Sequence, residues 1–250
     1  EAACASDRRM GVPSSAVLAA ARERALEHGA DAELVAGMGD GYTGFWADLD
    51  CGPGPVTAFR FDMDCNEVAE CAEESHRPVR EGFASRWPGL MHACGHDGHA
   101  AVGLGLAEVL VSIRRHLRGR IRLIFQPAEE GARGALPMSE AGAVDGVDVL
   151  FGFHIGFKAE GPGSLICGTQ GFLATTKRDV LFSGVPAHAG AAPEEGKDAL
   201  LAACSAVVNL HAISRNGKGG TRIAVGRLEG GEARNVIPAS ARLFMETRGE

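Results

Sequence analysis

The 250-residue chain is 45% hydrophobic, which is enough to bury a substantial core in one large domain or two modest ones. Its formal net charge of -7 argues against nucleic acid and against an anionic membrane as partners, because neither attracts an acidic surface. The seven cysteines are spread without a C-x-x-C pair, and no apolar run approaches the roughly 20 residues of a membrane span, so we expect a cytoplasmic protein.

The first two thirds of the chain predict alternating strands and helices, which indicates an α/β sheet. Helices are predicted over residues 16–28, 98–116 and 134–141, and strands over 56–61, 121–125 and 147–153. The glycine-rich segment 37–44 fits no G-x-G-x-x-G frame and is predicted to be a turn. Asp62 and Asp64 follow the strand 56–61, at the end where α/β sheets bind ligands, although a solvated strand end explains them equally well.

The pattern of predicted elements changes near residue 165. A strand is predicted over residues 174–183, a helix over 198–213, and two further strands over 221–228 and 240–247. This β-α-β-β order is the first two thirds of a ferredoxin-like α+β unit. We therefore expect a first domain over residues 1–165 and a second, incomplete domain over residues 166–250. Because the chain stops directly after a predicted strand, we expect it to be C-terminally truncated.

Three short motifs carry the residues that suit a metal site. They are Met-His-Ala-Cys-Gly-His-Asp-Gly-His at 91–99, Gln-Pro-Ala-Glu-Glu at 126–130 and Gly-Phe-His-Ile-Gly at 152–156. Thiolate, imidazole and carboxylate groups bind zinc-like ions, and here they occur in loops and at strand ends where ligands can converge. The candidate metal ligands are Cys94, His96, Glu130 and His154.

The adjacent carboxylates of Glu129 and Glu130 can take different roles in this candidate site. In an extended segment the side chains of neighbouring residues diverge, so one of the pair can hold a metal while the other faces an activated water molecule. We assign Glu130 as a metal ligand and Glu129 as the general base. Four ligands with a spare carboxylate are typical of an open catalytic site, whereas a structural zinc site has a closed set of ligands and no spare base.

A cysteine nucleophile is the main alternative chemistry. Cys94 and His96 could form a nucleophile and base pair, but side chains two residues apart rarely meet in that geometry. The alternative also leaves the adjacent carboxylates without a role. The remaining histidines considered, which are His28, His76, His92, His99, His116 and His211, are assigned structural roles.

The motifs at 91–97 and 126–130, with His154 at a strand end, resemble a family of metal-dependent amidohydrolases. This family contains aminoacylases, hippurate hydrolases and auxin-conjugate hydrolases. The flanking segments at 75–78, 174–177, 184–196 and 245–249 narrow the resemblance to members that hydrolyse p-aminobenzoyl-glutamate. The resemblance covers nearly the whole chain, and the motifs are highly specific as a set.

The resemblance implies a zinc-exopeptidase-like α/β catalytic sheet that binds two divalent metal ions, manganese or zinc. A ferredoxin-like α+β lid interrupts the catalytic domain and also dimerises, as a homodimer or as a heterodimer with a homologous subunit. By motif match, Cys94, His96, Glu130 and His154 are the metal ligands and Glu129 is the base. The family's fifth ligand, a later histidine, is not in this chain.

The resemblance also assigns residues of the second domain. His188, in Ala-His-Ala-Gly at 187–190, matches a lid histidine that steadies the developing oxyanion in the partner subunit's site. Asn235 matches a contact to the substrate carboxylate. Arg234 and Arg248 are the nearest candidates to offset the charge of an anionic substrate in an acidic protein.

We therefore expect a hydrolase that uses metal-activated water to cleave the amide bond of an N-acyl or N-aroyl amino acid, with p-aminobenzoyl-glutamate as the leading substrate. The alternative is a catalytically inactive partner subunit or binding module of the same fold. The presence of every matched ligand in this chain, together with Glu129, argues against that alternative.

Overall fold

The computed structural model describes residues 11–156, 161, 163–168, 170–214, 217 and 219–250. The chain divides between residues 157 and 158 into two compact units, and each unit is described by itself. No helix among these described residues combines the length and the apolar character needed to cross a membrane.

The first unit is built on a four-stranded mixed sheet. Its strands are β1 (Phe45–Asp50), β2 (Val56–Asp62), β3 (Arg120–Gln126) and β4 (Val149–Gly152). Its helices are α1 (Ser15–Glu27), α2 (Ala32–Gly37), α3 (Arg77–Arg80), α4 (His96–Ile113) and α5 (Ala135–Glu140). The strand order is β1-β3-β2-β4, in which β2 runs parallel to both neighbours and β1 runs antiparallel to β3. The sheet confirms the predicted α/β class, and its antiparallel edge strand makes it a mixed one.

Helix α4 packs closely on β2 and β3. Phe61, Leu110 and Phe125 belong to the buried cluster between the helix and the sheet. A Cβ atom built on Gly103 of α4 would lie 2.9 Å from the rings of both Phe61 and Phe125, so only glycine lets the helix approach this near. The contact fixes the N-terminus of α4, which begins at His96, near the ends of β2 and β3.

The first unit departs from the sequence-based expectation at two places. Helix α4 begins at His96, two residues before the predicted start, because Gly95 takes a left-handed conformation with φ of 83° and turns the chain directly into the helix. Strand β1 was not predicted. Four of its six residues are apolar, but they do not alternate regularly with polar ones, and its Asp48, a residue type depleted in strands, pairs with Arg122 of β3.

The second unit is a three-stranded antiparallel sheet covered by one helix. Its elements are β5 (Ala174–Ser183), β6 (Ala187–His188), α6 (Ala199–His211), β7 (Thr221–Gly230), β8 (Val236–Ile237) and β9 (Ser240–Gly249). The order of the main sheet is β5-β9-β7, and β6 pairs with β8 in a short separate ribbon. Ala199 and Ala203 of α6 pack against Ala241 of β9, where small side chains let the helix lie close to the sheet.

Candidate metal centre

The structure brings the four predicted ligands of the first unit together. The Sγ atom of Cys94 lies 3.4 Å from Nε2 of His154. Ligand atoms of Cys94, His96 and His154 all lie within 4.8 Å of one another, and so do those of His96, Glu129 and Glu130. His96 belongs to both groups. Two adjoining ligand sets that share one imidazole form a single centre at the ends of β2 and β3.

One nitrogen of His96 is available to an ion. The His96 side chain is fully buried, and its Nδ1 atom lies 2.9 Å from the carbonyl oxygen of Asp64, so Nδ1 carries the proton and donates it. The other nitrogen, Nε2, is buried and has no hydrogen-bond partner among the described residues. A buried polar atom without a partner is costly. A divalent ion held by this imidazole and its neighbours satisfies that atom, so the residues present fit a metal.

The adjacent glutamates lie in a turn, and the expectation of an extended segment is wrong. Ala128 before them has a φ of 52°, and the backbone N–H groups of Glu129 and Glu130 donate to the Asp64 carboxylate at 2.9 and 3.0 Å. These two hydrogen bonds draw the chain into the turn. Both carboxylates therefore reach the neighbourhood of His96, whereas an extended segment would make them diverge.

The two glutamates nevertheless differ in their surroundings. Glu130 accepts a hydrogen bond from Nδ2 of Asn66 at 2.7 Å, which holds its carboxylate in one orientation. Glu129 is 40% exposed, and its Oε2 atom lies 3.9 Å from Nε2 of His96. A fixed carboxylate suits a ligand, and a more accessible one beside the cluster suits proton transfer.

Sequence reasoning missed a buried hydrogen-bond network behind the ligands. Asp62 and His99 are almost completely buried, and Nδ1 of His99 donates to Oδ1 of Asp62 at 2.5 Å. Arg60 donates to the other oxygen of Asp62 at 2.6 Å, and the N–H of Ile155 donates to Nε2 of His99 at 2.8 Å. Both nitrogens of His99 are thus engaged, so His99 orients the loop that carries His154 and is not itself a ligand.

A signal for this network existed in the sequence. His99 follows His96 by three residues, so on one helix the two rings point to the same side. Their centroids are 5.5 Å apart. What the sequence could not show is that the Asp62 carboxylate, at the end of β2, lies directly opposite.

The electrostatics of the cluster favour a cation. Burial raises the pKa of the Cys94 thiol, and the negative charge of Glu130 raises it further. Burial also opposes ionisation of Asp62, but the hydrogen bond from His99 and the charge of Arg60 outweigh it and lower the pKa of that carboxyl. Without a bound cation Cys94 is therefore held as a thiol, which is a poor nucleophile.

The second unit brings two further predicted residues together. Nδ1 of His188 accepts the backbone N–H groups of Gly190 and Ala191, each at 3.1 Å, so the ring proton lies on Nε2. The N–H of Ala189 donates to the carbonyl oxygen of Asn235 at 3.0 Å. His188 of β6 and Asn235, which directly precedes β8, are therefore neighbours, and both side chains are exposed.

The two arginines are placed differently from each other. Arg234 is exposed and precedes Asn235 directly. Arg248 lies near the C-terminal end of β9, about 26 Å along the strand from its first residue, Ser240. Its Nε atom donates to Glu246 at 2.6 Å. The structure thus places Arg234 beside the His188–Asn235 pair and leaves Arg248 at the other end of the sheet.

Comparison with known proteins agrees with this geometry. Two curated relatives are each 52% identical to the chain: the indole-3-acetyl-aspartic acid hydrolase of Enterobacter agglomerans and one subunit of the p-aminobenzoyl-glutamate hydrolase of Escherichia coli strain K12. The matches cover 98% and 96% of this chain and 56% and 55% of the relatives. The chain therefore spans about half the length of these relatives.

Two solved structures are similar as well. The aminobenzoyl-glutamate utilization protein of Klebsiella pneumoniae is 45% identical with a TM-score of 0.72, over 99% of this chain and 56% of that one. A Bacillus subtilis protein described as a dinuclear metal-binding peptidase is 33% identical with a TM-score of 0.51, over 83% of this chain and 51% of that one.

A family profile completes the comparison. Residues 58–229 match the profile of peptidase family M20/M25/M40. The match includes all four candidate ligands, Glu129 and His188. The chain belongs to peptidase family M20/M25/M40.

Proposed function

We propose that this protein hydrolyses the amide bond of an N-acyl or N-aroyl amino acid. The observation that carries the proposal is the buried Nε2 atom of His96, which has no hydrogen-bond partner among the described residues and lies where two ligand sets meet. The carboxylate of Glu129 stands 3.9 Å from it, in place to act as a base. Ligands and base together are what metal-assisted amide hydrolysis requires.

We propose two divalent metal ions, manganese or zinc, as the cofactors. Cys94, His96, Glu130 and His154 would hold them, with His96 shared by the two sets. The bound ions would supply Lewis-acid polarisation of the substrate carbonyl and an activated water molecule. The Bacillus subtilis relative, described as dinuclear, supports this number.

Glu129 moves the proton in this scheme. It accepts a proton from the attacking water as the water oxygen bonds to the carbonyl carbon. It then passes that proton to the amide nitrogen as the carbon–nitrogen bond breaks, which releases a carboxylic acid and an amino acid. Its partial exposure leaves room for a substrate beside it.

The expected second domain, over residues 166–250, acts in our proposal as a ferredoxin-like lid and dimerisation domain. Because Nδ1 of His188 accepts two backbone N–H groups, the proton lies on Nε2, which has no hydrogen-bond partner among the described residues and would donate to a developing oxyanion. Asn235 and Arg234 would contact the substrate carboxylate. Arg248, already hydrogen-bonded to Glu246, would act at most through long-range charge. The protein would assemble with a second copy or with a homologous partner chain, and the Escherichia coli relative, which is one subunit of a hydrolase, supports such an assembly.

The substrate class follows from what the relatives have in common. One is named for an indole-3-acetyl group on aspartic acid and the other for an aminobenzoyl group on glutamate. Both names describe an aromatic acyl group joined to an acidic amino acid. We propose this class for the protein, with p-aminobenzoyl-glutamate as its leading member.

Metal analysis with substrate assays on the full-length protein tests the proposal. We expect bound divalent metal, faster hydrolysis of p-aminobenzoyl-glutamate and indole-3-acetyl-aspartate than of hippurate or acetyl-amino acids, and loss of activity with a chelator. The alternative of an inactive partner subunit predicts that the protein is inert alone and remains so with its metal restored. A folded, metal-free protein inert on every substrate, with or without a homologous partner chain, would refute the proposal.

A further inference from the structure

Asp64 contacts three residues of the proposed centre from the loop after β2. Its two carboxylate oxygens accept the backbone N–H groups of Glu129 and Glu130 separately, at 2.9 and 3.0 Å. Its own carbonyl oxygen accepts Nδ1–H of His96 at 2.9 Å. One residue thus links the base, one ligand from the turn after β3 and one ligand from the start of α4.

The geometry requires a carboxylate. Each of two consecutive N–H groups needs its own acceptor, and Asp64 offers two equivalent oxygens in a side chain that is only 18% exposed. Hydrogen bonds to an ionised acceptor are shorter and stronger than neutral ones. They hold a turn that begins with Ala128 in the left-handed region, which an alanine adopts only at a cost.

This turn determines where two carboxylates lie. Glu129 and Glu130 leave the backbone at consecutive residues, so a rotation of the turn moves the base and the ligand together relative to His96. A displacement of about 1 Å at a catalytic group is enough to cost roughly a hundredfold in rate.

We propose that Asp64 is a positioning residue that sets the distance between the base Glu129 and the metal ligands His96 and Glu130. The inference rests on the proposed function, since it takes the roles of Glu129 and Glu130 from there. Asp64 touches neither substrate nor metal in this scheme and acts through the backbone of the turn.

Asp64→Asn tests this role with little change of shape. The amide keeps one oxygen acceptor and the backbone carbonyl that orients His96, but it presents an NH2 donor to one of the two N–H groups. Asp148→Asn is the matched control, because Asp148 also accepts a backbone N–H, from Val56 at 2.8 Å, at the far end of the sheet.

In the full-length protein we expect Asp64→Asn to weaken metal affinity by about 10- to 100-fold, the range typical of residues behind metal ligands. At saturating metal, kcat should still fall at least about tenfold while KM changes little, since the base is displaced and the substrate contacts are not. Asp148→Asn should match the wild type in metal affinity and kcat. If Asp64 served stability alone, Asp64→Asn would lower the melting temperature but leave kcat at saturating metal unchanged, which would contradict the positioning role.

Two results would overturn the inference. One is a folded Asp64→Asn variant with wild-type metal affinity and wild-type kcat at saturating metal. The other needs no variant: amide hydrogen exchange of Glu129 and Glu130 in the wild type as fast as in an unstructured peptide, where we expect both to be protected. If the wild type itself proves inactive, the proposed function fails, but the metal titration and the exchange measurement still decide the role of Asp64. Failure of this inference and failure of the proposed function are therefore distinguishable.

Discussion

The two units hold their proposed functional residues in opposite ways. In the first unit, Asp62, His96 and His99 are buried, and hydrogen bonds from described residues account for their polar atoms except Nε2 of His96. In the second unit, His188 and Asn235 are exposed, and backbone hydrogen bonds of a two-residue ribbon fix them.

From this difference we expect the first unit to determine metal binding and the ribbon of the second unit to affect the rate of turnover. A buried cluster in which one imidazole nitrogen is left for a ligand is preorganised to hold an ion, whereas an exposed histidine with a free Nε2–H can act only on a group that comes to it. Substitutions in the first unit should therefore be able to change metal content, and those on the ribbon should change rate without changing metal content.

The largest effect is expected for Glu129→Gln. The amide nearly preserves the shape of Glu129 but cannot accept a proton, so kcat should fall by roughly a hundredfold or more while both metals stay bound. Steady-state kinetics and metal counts on the full-length protein measure this, with the exposed Glu27→Gln at the end of α1 as a control. A metal-replete Glu129→Gln variant with unchanged kcat would show that another group is the base.

His188→Ala should lower kcat on the order of a hundredfold, the usual cost of losing one oxyanion donor. Its metal content should equal that of the wild type, because the ribbon supplies none of the four candidate ligands. His211→Ala, an exposed histidine at the end of α6, is the control within the same unit. Loss of metals from His188→Ala with normal turnover after reconstitution would contradict the division of roles between the units.

Cys94→Asp distinguishes the proposed role of Cys94 as a metal ligand from the alternative that it is the nucleophile. Aspartate still offers an anionic ligand, so the variant should retain some metal and measurable activity. If Cys94 instead carried the acyl group, the variant would be inactive, and pre-steady-state kinetics of the wild type would show a burst. Intact mass spectrometry of the wild type during turnover decides the question, because an acyl adduct on Cys94 would exclude its assignment as a metal ligand.

The 250-residue chain by itself should expose apolar surface. All four residues of β4 are exposed, including Leu150 at 50% and Phe151 at 53%, and Leu104 of α4 is 61% exposed. Exposed apolar side chains of this size bind hydrophobic dyes and promote association. We expect the chain on its own to bind such a dye and to self-associate in sedimentation experiments. A monomer with no added dye binding and one cooperative unfolding transition would contradict this expectation.

Much of the fold could be predicted because its central elements carry strong local patterns. The apolar run of β3 and the ten-residue strands β5 and β9 were predicted to within about three residues at each end. Strand β1 was missed because an ion pair with a residue 74 positions away joins it to the sheet. Such a partner leaves no periodic pattern within the strand itself.

The candidate site, too, was predictable where the signal is local in the sequence and not where it depends on residues far apart in the chain. The convergence of the four candidate ligands could be predicted because parallel strand ends meet at one edge of a sheet, and the four residues lie in three distinct short motifs. The sequence also placed Asp62 and Asp64 at this edge, but it could not show their contacts, since the partners Asp62 and His99 are 37 residues apart and Asp64 and Glu129 are 65 apart. The turn at Glu129 was predicted wrongly for this reason, because the residue that bends it lies in another element.

The smallest effects we predict are on the free energy of unfolding, and they concern two ion pairs, one in each unit. Arg122 is buried and donates to both oxygens of Asp48, at 2.7 and 2.8 Å, which joins β1 to β3. In the second unit Arg242 and Asp179 pair at 2.6 Å, but both side chains are about half exposed. Exposed pairs contribute little to stability, so Asp179→Asn should leave the free energy of unfolding unchanged within error.

Asp48→Asn should lower the free energy of unfolding by about 1 kcal/mol at neutral pH, a value reduced from that of a fully buried pair because Asp48 is 31% exposed. The hydrogen bond from Arg122 lowers the pKa of Asp48 below its ordinary value despite partial burial. A carboxyl whose pKa is lower in the folded state stabilises the protein above its unfolded pKa, and the contribution disappears as the pH falls through the folded value. The difference between wild type and Asp48→Asn should therefore be constant near neutrality and shrink below about pH 4. Urea unfolding followed by circular dichroism across this range measures it, and a difference that persists undiminished at pH 3 would show that the packing of β1, and not its ion pair, holds that edge of the sheet.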